Sequence, residues 1–255
     1  MGLDQFSLQG KRALITGSSQ GIGLALARAL GSAGASLILN GRDAGRLQQA
    51  AAQLESENLS VEVSSFDVTD RDQTENHIKV IESDIGAIDI LVNNAGMQHR
   101  RELENFEFGD WDRLMDLNLN SIFNVSRPVA RSMIARGGGK IINICSIQAR
   151  LARPGIAPYT ASKHAVLGLT RGMCADWAQY NIQANGIAPG YFDTELTSAL
   201  VADPEFSAWV GKRTPAGRWG QVKELGGAAI FLASTASNFV NGQVMFVDGG
   251  MSSTV

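Results

Sequence analysis

Residues 12–30 read RALITGSSQGIGLALARAL: a short apolar run, a glycine-rich turn, then an alanine- and leucine-rich stretch. The first part suits a strand and the last a helix, so Gly17, Gly21 and Gly23 fall in the strand-to-helix turn. Small residues there let the backbone approach a pyrophosphate, whose charge faces the unsatisfied N–H groups at the helix N-terminus. The spacing is G-x-x-x-G-x-G, one residue wider than G-x-G-x-x-G. By itself it is weak evidence, and a tight turn without a ligand is the competing reading.

Outward from this turn the same alternation continues. Strands are predicted at 12–17, 36–41, 61–67, 89–95, 140–146, 182–190 and 243–249, with helices at 21–34, 44–57, 71–85, 110–136, 159–180 and 222–233. Asp43 and Asp70 are the expected caps of the second and third helices. Strands that are apolar through their centres imply burial on both faces. The expectation is one α/β domain over residues 1–255: a Rossmann-type, doubly wound, seven-stranded parallel sheet with helices on both faces. The segment 191–220, with Pro204 and Pro215, interrupts the pattern and is expected to form a helical lid over the ligand edge. GGG at 137–139 precedes a strand and reads as a helix stop.

Bulk properties narrow the function classes. The 255 residues are 44% apolar and 18% charged, a globular composition, and the formal net charge of −3 offers no field for a nucleic acid. The stretch MGLDQFSLQGK carries no apolar core and no run approaches membrane-spanning length, so neither a signal peptide nor a membrane span is expected. Two cysteines, Cys145 and Cys174, are too few for a disulfide framework and too far apart for a metal-ligand pair, so no metal is expected and a reducing cytoplasm fits.

The chemistry concentrates around YTASK at 159–163. On a helix, Tyr159 and Lys163 are i and i+4 and share a face. A neighbouring ammonium is expected to lower the phenol's pKa towards neutrality, as general acid–base work requires. Ser146 closes the fifth predicted strand on the ligand edge, where its hydroxyl can donate to the same oxygen that Tyr159 protonates.

The glycine turn, NNAG at 93–96 and Y-x-x-x-K at 159–163 together resemble the short-chain dehydrogenase/reductase family over nearly the whole chain. That resemblance implies hydride transfer between a nicotinamide cofactor and a carbonyl carbon. It implies a catalytic tetrad of Asn118, Ser146, Tyr159 and Lys163, the asparagine holding a helix kink. It implies that Gly17, Ser19, Gln20, Gly21, Ile22 and Gly23 form the cofactor turn and that Asp67 and Val68 contact adenine. Asn94, Ala95 and Gly96 would line the ribose and pyrophosphate path, Pro189, Gly190 and Thr194 would hold the nicotinamide, and Tyr159 and Lys163 complete the set. The second strand ends N-G-R, with no carboxylate for a ribose 2′-hydroxyl and with Arg42 able to bind a 2′-phosphate, so NADP (NADPH) is the expected cofactor. Pairing of Arg42 with Asp43 is the competing reading.

The loops expected around the substrate carry Arg100, Arg101, Arg150, Arg153, Arg213 and Arg218, a cluster suited to an anion. The strings NICSIQ, NGIAPGYFDTE and KRTPAGRWGQ resemble the branch of the family that interconverts gluconate and 5-keto-D-gluconate. A sugar acid is therefore the expected substrate, contacted by Gln98, Arg100, Ser146, Gln148, Tyr159 and Tyr191, with Arg100 the favoured carboxylate partner. The chain departs from that branch at 97–99 and at Ala149-Arg150, the latter reversing a charge. Another keto-sugar or polyol reductase, or a 3-oxoacyl thioester reductase, is the rival enzyme. A non-catalytic NADPH sensor is the rival of another class, and the complete tetrad argues against it. The resemblance also implies a homotetramer.

Overall fold

The computed structural model describes residues 2–254, apart from the side chain of Leu196. Nine strands form: β1 (Arg12–Ile15), β2 (Ser36–Gly41), β3 (Val61–Ser65), β4 (Ile90–Asn93), β5 (Gly139–Ile144), β6 (Ile182–Pro189), β7 (Phe192–Asp193), β8 (Gly220–Gln221) and β9 (Val244–Val247). The α-helices are α1 (Gly21–Ser32), α2 (Ala44–Glu55), α3 (Arg71–Val80), α4 (Phe108–Met115), α5 (Ser121–Arg136), α6 (Ala157–Trp177), α7 (Ser198–Val201), α8 (Pro204–Arg213) and α9 (Gly226–Ala233).

Seven strands make one parallel sheet in the order β3-β2-β1-β4-β5-β6-β9, and β7 and β8 form a separate two-residue ladder. The period-2 geometry of a strand sends alternate side chains to opposite faces. Ala13, Ile15, Leu37 and Leu39 therefore pack with α1, α2 and α9, while Leu14, Ile38 and Leu91 pack with α3, α5 and α6. Both faces are core, as the continuous apolar runs required. Each fully buried leucine or isoleucine contributes about 1.5–3 kcal/mol of transfer free energy.

Asp43 and Asp70 cap α2 and α3 by accepting from the Arg46 and Gln73 amides, both at 3.0 Å. The helix expected over 110–136 starts at Phe108 and contains a π turn, Asp116–Asn120, between α4 and α5. The extra residue in that turn is where Asn118 reaches out of the helix to bond the backbone of Met97. The helix expected at 159–180 begins two residues earlier, with Pro158 in its first turn, where a missing N–H costs nothing. The helix expected at 222–233 opens as a 3-10 turn, Val222–Leu225.

Candidate active site

In the sheet order, β1 and β4 are neighbours although they are far apart in sequence, and the chain leaves them in opposite directions. Their carboxyl ends are the crevice of an open α/β sheet. Asn94 joins the two ends: its Nδ2 donates to the carbonyls of Thr16 and Gly17, both at 2.9 Å, and Thr16 Oγ1 accepts from the amides of Asn94 and Ala95. A cleft of about 970 Å³ opens here, lined by the glycine turn at one end and by Ser146, Tyr159 and Tyr191 at the other. Ser19, Gln20, Ile22, Arg42, Asp67, Val68, Ala95, Gly96, Pro189, Gly190 and Thr194 line it between them.

The glycine end fits a dinucleotide. A Cβ on Gly23 would lie 2.3 Å from the Gly17 carbonyl oxygen, and one on Gly17, whose φ is +62°, 2.8 Å from Ala95 Cα. Only glycine lets α1 and the turn close on the strand ends. No side chain caps α1 at Gln20 and no acid lies in its first turn, so its amides remain open to an anion. Glu195 presents a carboxylate beside Gly21, the kind of charge such a helix start attracts.

At the end of β2, Arg42 turns away from Asp43. Its Nη1 stands 3.7 Å from Asp67 Oδ2 and its side chain is 72% exposed, while Asp43 pairs with Arg46. Arg42 and Arg46 both line the cleft, two cations suited to a phosphate monoester. The hydroxyl of Thr194 is engaged in a mutual cap with Thr197, which fixes the turn after β7.

Ser146 follows β5 and Tyr159 lies in the first turn of α6. The Ser146 hydroxyl accepts from the Gln148 amide at 3.1 Å, which holds the turn beyond it. Lys163 is 5% exposed, and its Nζ donates to the Ile144 carbonyl at 2.8 Å. The ammonium lies 5.7 Å from the centroid of the Tyr159 ring. Tyr159 is partly accessible, but protein surrounds its hydroxyl, and burial pushes the phenol above its ordinary pKa. A hydrogen bond with Ser146 pulls it down, and nearby Cys145 and Tyr191 push it further up. Burial also lowers Lys163 to about 8.

This departs from the expectation that the ammonium brings the phenol towards neutrality. Removal of both groups from water outweighs their attraction across the helix turn, so the phenol rests in its neutral form. Asn118 stands behind the cleft wall, in the π turn that interrupts the helix, where the resemblance has it hold a helix kink. It is fully buried, accepts from the Met97 amide at 2.8 Å, and donates to the Met97 carbonyl at 2.9 Å and to Ser162 at 3.2 Å. Asn118 is thus a positioning residue for the loop after β4 and for α6.

Of the six loop arginines, only Arg100 and Arg153 line the cleft. Arg150 lies 4.1 Å over the Phe246 ring, Arg213 bonds Thr254 and Arg218 bonds Glu224, so the charge reversal at Arg150 does not reach the cleft. Gln98 accepts from Arg100 at 3.1 Å. Gln148 is 6% exposed and its Oε1 has no partner among the described residues, leaving a buried acceptor in the cleft wall. Tyr191 accepts from Arg153 at 3.4 Å and sits in a ring cluster with Phe206, Trp209 and Trp219.

Residues 11–205 match the family model described as short chain dehydrogenase. This chain belongs to that family. It is 59% identical to gluconate 5-dehydrogenase of Gluconobacter oxydans over 248 residues, 97% of each chain. Against 5-keto-D-gluconate 5-reductase of Escherichia coli it is 52% identical, covering 97% of this chain and 98% of that one. A crystal structure of a gluconate 5-dehydrogenase from Burkholderia cenocepacia, in complex with NADP and tartrate, superposes with a TM-score of 0.97 at 60% identity, covering 99% of each chain.

In this short chain dehydrogenase, one cleft residue with a readable signal, Arg46, is missing from the sequence-based set, and a second, Arg153, is not ranked there above its neighbours. Arg46 is four residues beyond Arg42, the spacing that brings side chains together at a helix start. Arg153 is one of six loop arginines in the sequence, of which Arg100 is the favoured carboxylate partner, and its contact with Tyr191 singles it out only in the structure. No group of three or more His, Cys, Asp or Glu residues suited to a metal occurs among the described residues, and no helix there is long and apolar enough to cross a membrane.

Proposed function

We propose that this protein is an NADP-dependent oxidoreductase that interconverts D-gluconate and 5-keto-D-gluconate. The observation that carries the reading is the convergence of Ser146, Tyr159 and Lys163 in the same cleft as the uncapped start of α1. The gluconate and 5-ketogluconate activities of relatives at 59% and 52% identity support the substrate. The NADP complex of the Burkholderia relative, together with Arg42 and Arg46 at the end of β2, supports the cofactor.

Bound NADPH would supply a hydride to the substrate carbonyl carbon. The chain's own residues handle the oxygen. Tyr159, held neutral by burial, gives its proton to the developing alkoxide, and Ser146 donates a hydrogen bond to the same atom. Lys163 keeps positive charge beneath the phenol, so that the phenolate left behind is stabilised. In oxidation the phenolate takes the proton from the substrate hydroxyl. Gln148 Oε1, a buried acceptor, is suited to receive a substrate hydroxyl, and Arg100 and Arg153 supply charge for a carboxylate.

The test is NADPH oxidation with 5-ketogluconate, 2-ketogluconate, neutral keto sugars and a 3-oxoacyl thioester. The expected preference is for 5-ketogluconate; no rate with any keto acid would defeat the sugar-acid reading. NADPH binding without any turnover would favour the sensor instead. A homotetramer accompanies this reading. Phe108 is 89% exposed, Trp111 38% and Phe123 55% along α4 and α5, surface that a second copy would cover. Sedimentation at micromolar concentration checks it. The two free thiols agree with a cytoplasmic setting.

A further inference from the structure

Two guanidinium groups stand together at the substrate end of the cleft. Arg100 comes from the loop after β4 and Arg153 from the segment before α6. They are close enough that, after burial, repulsion by Arg153 is the next cause holding Arg100 below its ordinary pKa. Among the described residues no carboxylate lies within ion-pairing distance of either, whereas Arg28, Arg136 and Arg218 each have one. Like charges facing a cleft without a counter-ion favour an anionic ligand there.

The two arginines differ in how they are held. Arg100 is exposed and donates to Gln98 at 3.1 Å. Arg153 is half-buried, with its guanidinium carbon 4.8 Å from the centroid of the Phe206 ring. One of its N–H groups reaches the Tyr191 hydroxyl at 3.4 Å, and the fork makes no other hydrogen bond among the described residues. A guanidinium lying on an aromatic face keeps its in-plane donors free for a planar carboxylate. Its supports are themselves fixed: Tyr191 meets the rings of Phe206, Trp209 and Trp219 edge-on, each at 5.7 Å, and Trp219 Nε1 donates to Ser207 at 3.1 Å. An arginine already immobilised loses less freedom on binding than an exposed one.

We propose that Arg153, rather than Arg100, is the specificity-determining residue that grips the substrate's carboxylate, with Arg100 adding a second positive charge. The inference rests on the sugar-acid reading above. It also ties recognition of charge to the 191–220 segment, because Tyr191 and Phe206, which carry the Arg153 guanidinium, both belong to it. A neutral polyol of the same length would lack the group that Arg153 holds.

The test compares D-gluconate with D-glucitol, which differ only at C1, in the NADP-loaded enzyme. Arg153→Gln is expected to lower the ratio of kcat/KM for gluconate over glucitol by ~100-fold, chiefly through KM for gluconate, as removal of one partner of a desolvated charge pair does. Arg153→Lys is expected to fall between, since it keeps the charge but loses the fork. Arg100→Gln is expected to change the ratio by only about fivefold, as a screened neighbouring charge does. NADPH titration shows that each variant is folded. An unchanged ratio in Arg153→Gln, or a larger loss in Arg100→Gln, overturns the proposal.

A second measurement separates this inference from the substrate reading. Trp209 and Trp219 flank Tyr191, so gluconate or tartrate binding to the NADP complex is expected to change their fluorescence, and Arg153→Gln to weaken that response by a similar factor. If the wild type turns over no sugar acid, the substrate reading fails, and the fluorescence titration still judges Arg153. Anion binding equal in wild type and Arg153→Gln sinks it.

Discussion

Lys163 donates its hydrogen bond to the carbonyl of Ile144 at 2.8 Å, while the ring of Tyr159, one helical turn before it, has its centroid 5.7 Å from the same ammonium. The lysine is anchored to the end of β5 and acts on the phenol through space. With Tyr159 held high by burial and Lys163 lowered to about 8, the resting pair at neutral pH is a phenol above an ammonium. Reduction uses the phenol as it stands; oxidation must first lose its proton. The oxidation rate at saturating substrate is therefore expected to keep rising from neutral pH up to about 10, the ordinary phenol value above which burial holds Tyr159, while the reduction rate holds until the phenol ionises. Paired pH profiles of kcat check this. An oxidation rate flat across that range would contradict the assignment.

Tyr159→Phe removes the transferable proton and little volume. Turnover is expected to fall ~10²–10⁴-fold. Ser146→Ala should lose ~10²–10³-fold by removing one donor to the developing alkoxide. NADPH binding, followed by fluorescence, should stay within about threefold in both, since neither change alters the open amides of α1.

Arg42→Asp places a negative charge beside Asp67, which lies 3.7 Å from the guanidinium it replaces. NADPH affinity is expected to weaken about 10- to 100-fold through loss of a charge-assisted contact. NADH affinity should hold or improve. Equal losses for the two cofactors would mean that Arg42 does not read the 2′-phosphate.

Gly23→Ala puts a methyl group 2.3 Å from the Gly17 carbonyl oxygen and 2.5 Å from Asn94 Nδ2. Neither neighbour can retreat freely, because Asn94 binds the ends of β1 and β4 together. A stability loss of about 1–3 kcal/mol is expected from overpacking, together with weakened NADPH binding. Urea denaturation followed by circular dichroism measures the first.

Lys140 is buried at the start of β5 against the neutral groups Ser237 and Asn238, and burial lowers it to about 8. The unfolded chain holds this proton up to about pH 10.5, so between about 8 and 10.5 it binds more protons than the folded one, and stability rises with pH across that window. The cost is fully present below about 8. Lys140→Met is expected to be more stable than wild type at pH 7, by a margin that shrinks as pH rises. Denaturant midpoints at three pH values decide it; a margin independent of pH would refute the account.

The sequence alone established the alternation of strands and helices, because a parallel sheet buried on both faces demands apolar strands such as 13–15 and 37–39 between amphipathic helices. It also located the glycine turn, the caps Asp43 and Asp70, and the spacing of Tyr159 and Lys163, all local relationships carried within a few residues. Tertiary structure decided what depends on distant neighbours: that burial outweighs the Lys163 charge at Tyr159, that Arg42 faces Asp67 instead of Asp43, and that Asn118 stands behind the wall. It also chose Arg100 and Arg153 from six arginines, seating Arg150 on Phe246. Desolvation and the direction of a long side chain are set by atoms that the fold brings from elsewhere in the chain, and no local spacing encodes them.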